Sequence, residues 1–365
     1  MKPDTNRTDV LVVGGGPAGA TAARVLAEKG REVLLLEKDR GYSKPCGGGV
    51  SLGIFEEFNL PRTSIKKEVY GLRLVSPTQN QVDIPLPGRP VALVERKEFD
   101  ETLRLKAEQQ GARVIEGEFL RILDEKRGLA LALIGGEKAE IQSGFIVAAD
   151  GVNSRVRTSL NIKPLPALWT CSSLIQGQRE FCEFWFGASE SPYSYSWIFP
   201  TAAGLSVGTG ALEARNLQKL FHNFLDRSGL EVPVKRRVYK IPVWQGKLFN
   251  RKNILFVGDA AGQVLPLSYE GIYYAMKGGE MAARAILEGK PGDYKKMWKG
   301  EFRKRFLLLD TLKNYFLKND ASTEKMIALH RHPEVQEISL RLWLRQEDRR
   351  HTLFHYLKLL GKYLR

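Results

Sequence analysis

The chain has 365 residues, of which 43% are hydrophobic, with 56 Lys and Arg against 41 Asp and Glu for a formal net charge of +15. This length suggests two domains or one large domain with an inserted layer, and the apolar content is that of a folded protein rather than a disordered one. No run reaches the ~18 apolar residues of a membrane span. The polar residues 1–7 are not expected to form a signal peptide. Cys46, Cys171 and Cys182 form neither a disulfide framework nor a zinc pattern, so no metal site and a reducing cytoplasm are expected.

Asp9-Val10-Leu11-Val12-Val13 reads as a buried parallel strand, because consecutive β-branched and Leu residues suit a strand covered on both faces. Gly14-Gly15-Gly16-Pro17-Ala18-Gly19 follows, then an Ala-rich helix over 17–29 ending at Gly30, a second strand at 33–36, and Glu37 with Lys38. Strand, Gly-x-Gly-x-x-Gly, helix, strand and acid together form the dinucleotide-binding fingerprint. Gly14 allows the tight turn, Gly16 offers bare backbone to a pyrophosphate, and Gly19 lets the helix pack close to the strand. The helix that starts at Pro17 presents free N–H groups, from Ala18 onward, and a positive dipole end to phosphates. Glu37 is placed to accept hydrogen bonds from a ribose diol.

Residues 71–92 alternate apolar positions (Leu72, Leu74, Val82, Ile84, Leu86) between Pro and Gly breaks, as in strands of a second, antiparallel layer. A helix is expected over 98–110, ending at Gly111, then a strand at 112–115 and a buried strand at 145–149 that ends at Asp150-Gly151. Residues 165–245 are aromatic and turn-rich, with many short strand-like runs. Another buried strand at 253–257 runs into Gly258-Asp259, and a long helix follows over 271–287. Alternating strands and helices imply an α/β domain with a parallel sheet.

Beyond Pro291 the chain reads as helical, and roughly half of the excess positive charge lies after Lys290. Leu353, Leu357, Leu360 and Leu364 share a helical stripe flanked by Lys358, Lys362 and Arg365. This basic amphipathic helix has two readings, contact with a membrane surface or packing on the protein's own core. No zinc-finger, RNP or homeodomain pattern accompanies the charge, so no nucleic-acid partner is expected. The histidines, His330, His332, His351 and His355 among them, form no triad or metal pattern and read as surface residues.

Three separated segments resemble one superfamily. The turn at Gly14 looks like the ADP end of an FAD site. Ala149-Asp150-Gly151-Val152-Asn153-Ser154-Arg155-Val156-Arg157 and Phe256-Val257-Gly258-Asp259-Ala260-Ala261-Gly262 resemble the Asp-Gly and Gly-Asp motifs of the para-hydroxybenzoate hydroxylase superfamily. Three further segments resemble the geranylgeranyl reductase family within it: Lys44-Pro45-Cys46-Gly47-Gly48-Gly49-Val50-Ser51, Tyr195-Ser196-Trp197-Ile198-Phe199-Pro200, and Tyr269-Glu270-Gly271-Ile272. In the last, Tyr269 stands where that family commonly has Gly. The resemblance implies a Rossmann-type FAD/NAD(P)-binding domain (residues 1–70, 93–160 and 250–290). It further implies an antiparallel-sheet substrate domain (71–92 and 161–249) and a helical C-terminus (291–365).

It also implies tightly bound FAD, an external donor (NADPH or ferredoxin, the latter an electron-donor protein), and a prenylated lipid or geranylgeranyl diphosphate as substrate. The implied reaction saturates isolated C=C bonds by hydride transfer from reduced flavin plus a proton, which calls for a dry cavity, a proton source and an electron-rich wall. Asp259 would hold the ribityl chain, Asp150 and Gly151 the pyrophosphate geometry, and Gly258, Gly271 and Ile272 the approach of a helix start to the flavin. Glu270 would lie near the ring, and Gly47, Gly48 and Arg96 beside the cofactor.

The residues alone leave several roles with two readings. Tyr195 and Trp197 are a wall for developing positive charge or core aromatics. Cys46 is a group beside the flavin that relays a proton or a small buried hydrophobe. Glu270 is a ring neighbour or an ordinary helix-start acid, and Arg96 is a cofactor neighbour or a solvated cap. Two other functions are carried: an FAD-dependent monooxygenase or halogenase of the same superfamily, against which the Lys-Pro-Cys-Gly-Gly-Gly segment argues, and a non-catalytic flavoprotein that binds membranes or lipids through its tail.

Overall fold

The computed structural model describes residues 7–344. β1 (Arg7–Val13), α1 (Pro17–Glu28) and β2 (Val33–Glu37) open the chain. Pro17 begins α1, where its missing N–H costs nothing and its fixed φ suits the helix. Four strands follow, β3 (Gly49–Ser51), β4 (Ile65–Val69), β5 (Gly71–Val75) and β6 (Gln81–Pro85), with α2 (Gly53–Glu57) between the first two. β7 (Val91–Val94) leads into α3 (Arg96–Gln109), which the Glu95 carboxylate caps by accepting the Glu98 N–H at 2.9 Å.

β8 (Arg113–Asp124), β9 (Leu129–Ile134), β10 (Glu137–Ala148) and α4 (Arg155–Ser159) come next. β11 (Ala167–Ile175), β12 (Cys182–Trp185), β13 (Ser196–Thr201), β14 (Gly204–Ala211), α5 (Leu217–Ser228) and β15 (Arg237–Pro242) carry the aromatic region. β16 (Asn250–Arg251) and β17 (Ile254–Phe256) precede four helices, α6 (Ile272–Leu287), α7 (Asp293–Phe316), α8 (Asp320–Leu329) and α9 (Pro333–Trp343).

In the first sheet β8, β2, β1, β10 and β17 lie side by side and parallel. The chain steps outward from β1 to β2 and β8, then returns to the other side of β1 with β10 and β17. The strand order therefore reverses at β1, and open α/β sheets bind ligands in the crevice at the carboxyl ends beside such a reversal. The glycine turn after β1, the Asp-Gly loop after β10 and the Gly-Asp loop after β17 all leave from that end. β8 and β10 outrun this sheet. The strand expected at 112–115 continues to Asp124, and its second half forms an antiparallel meander with β9 and the first half of β10.

The second sheet has the order β15-β11-β14-β13-β12-β5-β6 and is antiparallel except for the pair β5–β12. The single layer expected over 71–92 is divided. β5 and β6 join this sheet, whereas β7 pairs with β3 and β4 in a small third sheet. One face of the second sheet is covered by α5, with Phe221, Phe224 and Leu225 packed on Ile198, Leu205 and Val207. Burying each such side chain contributes ~1.5–3 kcal/mol. The other face turns toward the carboxyl ends of the first sheet.

The C-terminal region is helical through α9, as expected. On α7, Trp298, Phe302 and Phe306 recur every four residues and so share one helix face. Phe302 and Phe306 meet the Tyr274 ring of α6 edge-on at 5.2 and 4.9 Å. His330 departs from the surface expectation. It is buried, with Nδ1 2.8 Å from the Met326 carbonyl and Nε2 3.0 Å from Ser339 Oγ, and it ties α8 to α9. Met326 is one helical turn away, but the burial depends on α9 folding back with Ser339, which nothing adjacent to His330 in the chain marked. The leucine stripe at 353–364, with His351 and His355, lies outside the described residues.

Candidate active site

A cavity of about 480 Å³ begins at the three loops beyond the parallel sheet and continues between the second sheet and α6. The glycine turn forms one wall. Gly14 has φ +97°, and a Cβ there would stand 2.5 Å from the Ala149 carbonyl oxygen, so the turn and the Asp-Gly loop touch backbone to backbone. At Gly16 a Cβ would meet nothing within 4 Å, because the residue opens onto the cavity. Glu37 Oε2 accepts the Gly15 N–H at 2.6 Å and Oε1 the Asp39 N–H at 3.2 Å, which fixes the acid at the rim. Pro17 and Ala18 also line the cavity. Lys38 points its ammonium outward to Glu118 at 2.7 Å.

Gly19 and Gly258 stand behind the wall rather than on it. A Cβ on Gly19 would lie 1.9 Å from the Gly14 oxygen, and one on Gly258 3.0 Å from the Ala18 methyl. Their lack of a side chain lets α1 approach the turns.

Asp150 Oδ2 accepts the Val156 N–H at 3.0 Å, while Oδ1 is buried without a hydrogen-bond partner. Burial pushes this carboxyl above its ordinary range. An orphaned carboxylate oxygen beside Gly151 on the cavity wall is the acceptor a ligand N–H or O–H would satisfy. Across from it, Asp259 Oδ2 lies 2.5 Å from Lys44 Nζ, and that ammonium also stands 5.2 Å from the centre of the Tyr239 ring. Burial opposes the charge on Lys44, but Asp259 outweighs it and raises the ammonium's pKa. Gly271 caps α6, and a Cβ there would lie 3.6 Å from Asp259 Oδ1. Gly271, Ile272 and Glu270 therefore bring a 16-residue helix start to the cavity.

Two buried arginines that sequence reading did not single out hold these loops together. Arg157 donates to the Val152 carbonyl and, at 3.0 Å, to the Ala260 carbonyl, joining the Asp-Gly loop to the Gly-Asp loop. Arg104 donates to the carbonyls of Gly15 and Arg40, both at 3.2 Å. Arg157 stood in a recognisable motif, whereas nothing in the helix around Arg104 announced a target 89 residues away.

Arg96 is buried rather than a solvated cap. It binds Asp100 through two bonds of 3.1 and 2.8 Å and lies against the Cys46 thiol. Burial opposes its charge, but Asp100 and Cys46 together raise its pKa. Cys46 is exposed at the cavity, and its sulfur accepts the Gly48 N–H at 3.4 Å. Gly47 gives way to Phe199, whose ring a Cβ would meet at 2.7 Å. Gly48, at φ +78°, passes under the Val94 carbonyl.

Period-two alternation through β13 sends Ile198 toward α5 and Tyr195, Trp197 and Phe199 toward the cavity. Phe184 of β12 packs edge-on between Tyr195 and Phe199, with ring centres 5.1 and 5.2 Å away. Trp197 lies on Gly208, and its indole N–H reaches Ser206 Oγ at 3.4 Å. The Tyr195 hydroxyl donates to the Ser268 carbonyl, and burial raises its pKa far above the ordinary phenol.

Tyr269 and Leu267 both have left-handed backbones, φ +54° and +81°, which glycine adopts without cost and other residues do not. The Tyr269 ring stands 6.3 Å from that of Tyr195 and its hydroxyl 3.5 Å from the Tyr193 carbonyl. Beyond these aromatics the cavity becomes aliphatic, with Leu72, Leu74, Val91, Leu267, Met326 and Leu344 on its walls.

All the candidate residues except Gly19 and Gly258 thus border one cavity, polar at the strand ends and apolar beyond. Residues 7–288 match the family described as FAD binding domain. The chain is 31% identical to the geranylgeranyl diphosphate reductase of Rhodobacter capsulatus, over 96% of this chain and 94% of that protein. It is 32% identical to the digeranylgeranylglycerophospholipid reductase of Methanothrix thermoacetophila, over 93% and 95%. Its fold is similar to the crystal structure of a geranylgeranyl bacteriochlorophyll reductase-like protein of Thermoplasma acidophilum. There the TM-score is 0.84 at 25% identity, covering 97% of this chain and 99% of that one.

Proposed function

This chain belongs to the FAD-dependent geranylgeranyl reductase family, and on that premise we propose that it saturates isolated C=C bonds of a prenyl chain held in the aliphatic arm of its cavity. The observation that carries this reading is the continuity of one cavity, from the bare backbone of Gly16 to an aromatic wall and then to an aliphatic arm. Gly16 and the start of α1 would hold the pyrophosphate of FAD, Glu37 its ribose, and Asp259 its ribityl chain. Asp150 would close the same site through Oδ1, and the start of α6 at Gly271 and Ile272 would face the ring. Reduced FAD supplies a hydride when bound.

Each of the chain's own groups has a part. Tyr195, Trp197 and Phe184 face the chain with electron-rich rings, and each ring in a desolvated site stabilises a developing carbocation by roughly 0.5–2 kcal/mol. The Tyr195 proton is committed to the Ser268 carbonyl, so Tyr195 serves as wall rather than acid. Cys46 is a protic side chain of the glycine segment, exposed at the cavity, whereas the Lys44 ammonium in the same segment is held by Asp259. The Cys46 thiol gives its proton to the less substituted alkene carbon, positive charge gathers on the tertiary carbon, and that carbon takes the hydride. Arg96 compensates the charge left on sulfur, which solvent then reprotonates. Glu270, beside Tyr195, adds negative charge near the developing cation. The aliphatic arm excludes the water that would quench it.

Cys46→Ala is expected to lower kcat about 100-fold while the 450 nm flavin band is retained. Full turnover in the FAD-loaded variant would remove Cys46 from proton transfer. Tyr269→Gly is expected to relieve about 1 kcal/mol of left-handed strain and to remove a ring from the cavity. The measured product should then carry more reduced bonds per chain, with thermal stability near that of the parent.

The deciding experiment adds geranylgeranyl diphosphate, or a geranylgeranylated lipid, to dithionite-reduced protein without oxygen. Reoxidation of the flavin with a gain of two hydrogens per reduced bond by mass spectrometry supports the reading. No reoxidation by any prenyl substrate, with rapid oxygen consumption coupled to an aromatic acceptor, overturns it in favour of a monooxygenase. The chain holds a single Gly-x-Gly-x-x-Gly fingerprint, which FAD takes. On this reading the donor is NADPH, docking without a fingerprint of its own, or a ferredoxin, and comparing the two in this assay separates them. Among the described residues no helix is long and apolar enough to cross a membrane.

A further inference from the structure

The aliphatic arm adjoins a second cavity at Leu344. Ser51 and Leu344 border both the main cavity and a second one of about 310 Å³. The small third sheet builds this second cavity. Ser51 at the end of β3 pairs with Val91 at the start of β7, which sets Arg89 and Pro90 beside Leu52. The loop before β4 adds Arg62. The interior side is apolar, with Leu86, Leu340 and Leu344, and the outer rim carries the guanidiniums of Arg62 and Arg89, both on the exposed surface. Among the described residues that line this cavity, one carboxylate shares the rim: Glu56, 3.5 Å from Arg62.

We propose that this mouth binds the anionic phosphate group to which the prenyl chain is attached, with the chain threading past Ser51 and Leu344 toward the aromatic wall. This rests on the prenyl-reductase reading. A phosphate cannot follow an alkyl chain into an apolar arm, because stripping its water is far too costly. It must stay at a water-facing opening continuous with that arm. Arginine forks suit it, since a guanidinium offers two parallel N–H donors to phosphate oxygens. The opposite end of the cavity is the dinucleotide crevice, which leaves this mouth for the headgroup. The shared chemistry is a phosphoryl anion, borne either by a diphosphate or by a glycerophospholipid.

The test is equilibrium dialysis of the FAD-loaded protein with radiolabelled geranylgeranyl diphosphate and, separately, geranylgeraniol, which has the same chain and no phosphate. In the Arg62→Gln/Arg89→Gln variant the Kd for the diphosphate is expected to rise about tenfold relative to that for the alcohol. Glu56→Gln, which removes the competing carboxylate, is expected to shift the same ratio the other way, about twofold. Opposite shifts from neighbouring substitutions cannot come from misfolding. Parallel shifts for both ligands, or none, would overturn the proposal.

A digeranylgeranylglycerol phosphate in mixed micelles identifies the source. Arginine dependence for this lipid, for the diphosphate or for both supports the mouth and names its headgroup. Arginine-dependent binding without chain reduction would leave the mouth standing and remove the reductase reading. Reduction that ignores both arginines would do the reverse.

Discussion

A chain carrying Gly16→Ala is expected to melt as the parent does and to bind FAD at least about tenfold more weakly, whereas Gly14→Val is expected to purify colourless and to melt lower. The two glycines are two residues apart and serve opposite purposes. At Gly16 an added Cβ meets no atom within 4 Å, so the fold has nothing to lose. The methyl instead occupies the space a pyrophosphate needs against the backbone. At Gly14 a Cβ would stand 2.5 Å from the Ala149 oxygen and 2.8 Å from its carbon, both backbone atoms that cannot swing aside, on a residue at φ +97°.

The left-handed conformation alone costs a branched residue about 1–2 kcal/mol, and the clash forces apart two loops joined by the Ala149 N–H to Val13 carbonyl bond of 2.9 Å. Flavin absorbance at 450 nm against protein absorbance at 280 nm, with a melting curve followed by circular dichroism, separates the two variants. Equal flavin content in Gly16→Ala and the parent would show that the turn is not where FAD binds.

Arg227→Met is expected to lose about 3–5 kcal/mol of stability, read as a lower urea midpoint. Arg227 binds Glu190 and Ser76 closely and reaches the carbonyls of Phe186 and Pro77, each at 3.0 Å. It thus clamps α5, the end of β5 and the loop that leads into Tyr195. Glu190 is fully buried, with Oε2 unpartnered. Burial pushes its carboxyl up to about 7, against the lowering effect of Arg227.

The sign of the pH dependence follows. The folded chain holds a proton on Glu190 at pH values where the unfolded chain has lost it. This contribution is fully present below the ordinary carboxyl range and is lost as pH rises through about 7. Its size is on the order of a few kcal/mol. Glu190→Gln is expected to flatten that slope between about pH 4.5 and 7 and to recover part of the stability lost in Arg227→Met, because an amide needs no counter-charge. An unchanged slope in Glu190→Gln would place the proton elsewhere.

The parts of the site legible in the chain are those whose geometry is local. A glycine that must take φ +97°, an acid closing a strand, and a Pro starting a helix each follow from backbone sterics within a few residues. The order of the three candidate cofactor loops follows from three buried apolar runs. β13 fell among the short strand-like runs of 165–245, a reading that could not say which of its faces met α5 and which met the cavity.

Other features depend on which segments the fold brings together. Lys44 and Asp259 are 215 residues apart and Arg104 lies 89 from Gly15, and no pattern in either segment names the other. The division of 71–92 between two sheets, the parallel pair β5–β12 and the buried His330 have the same origin. By itself the sequence determined the turns, caps and apolar faces, because short-range sterics and periodicity act before any tertiary contact. Tertiary structure alone decided which buried charges are paired and where the cavity runs. Desolvation and hydrogen-bond satisfaction are properties of a packed neighbourhood, not of a stretch of chain.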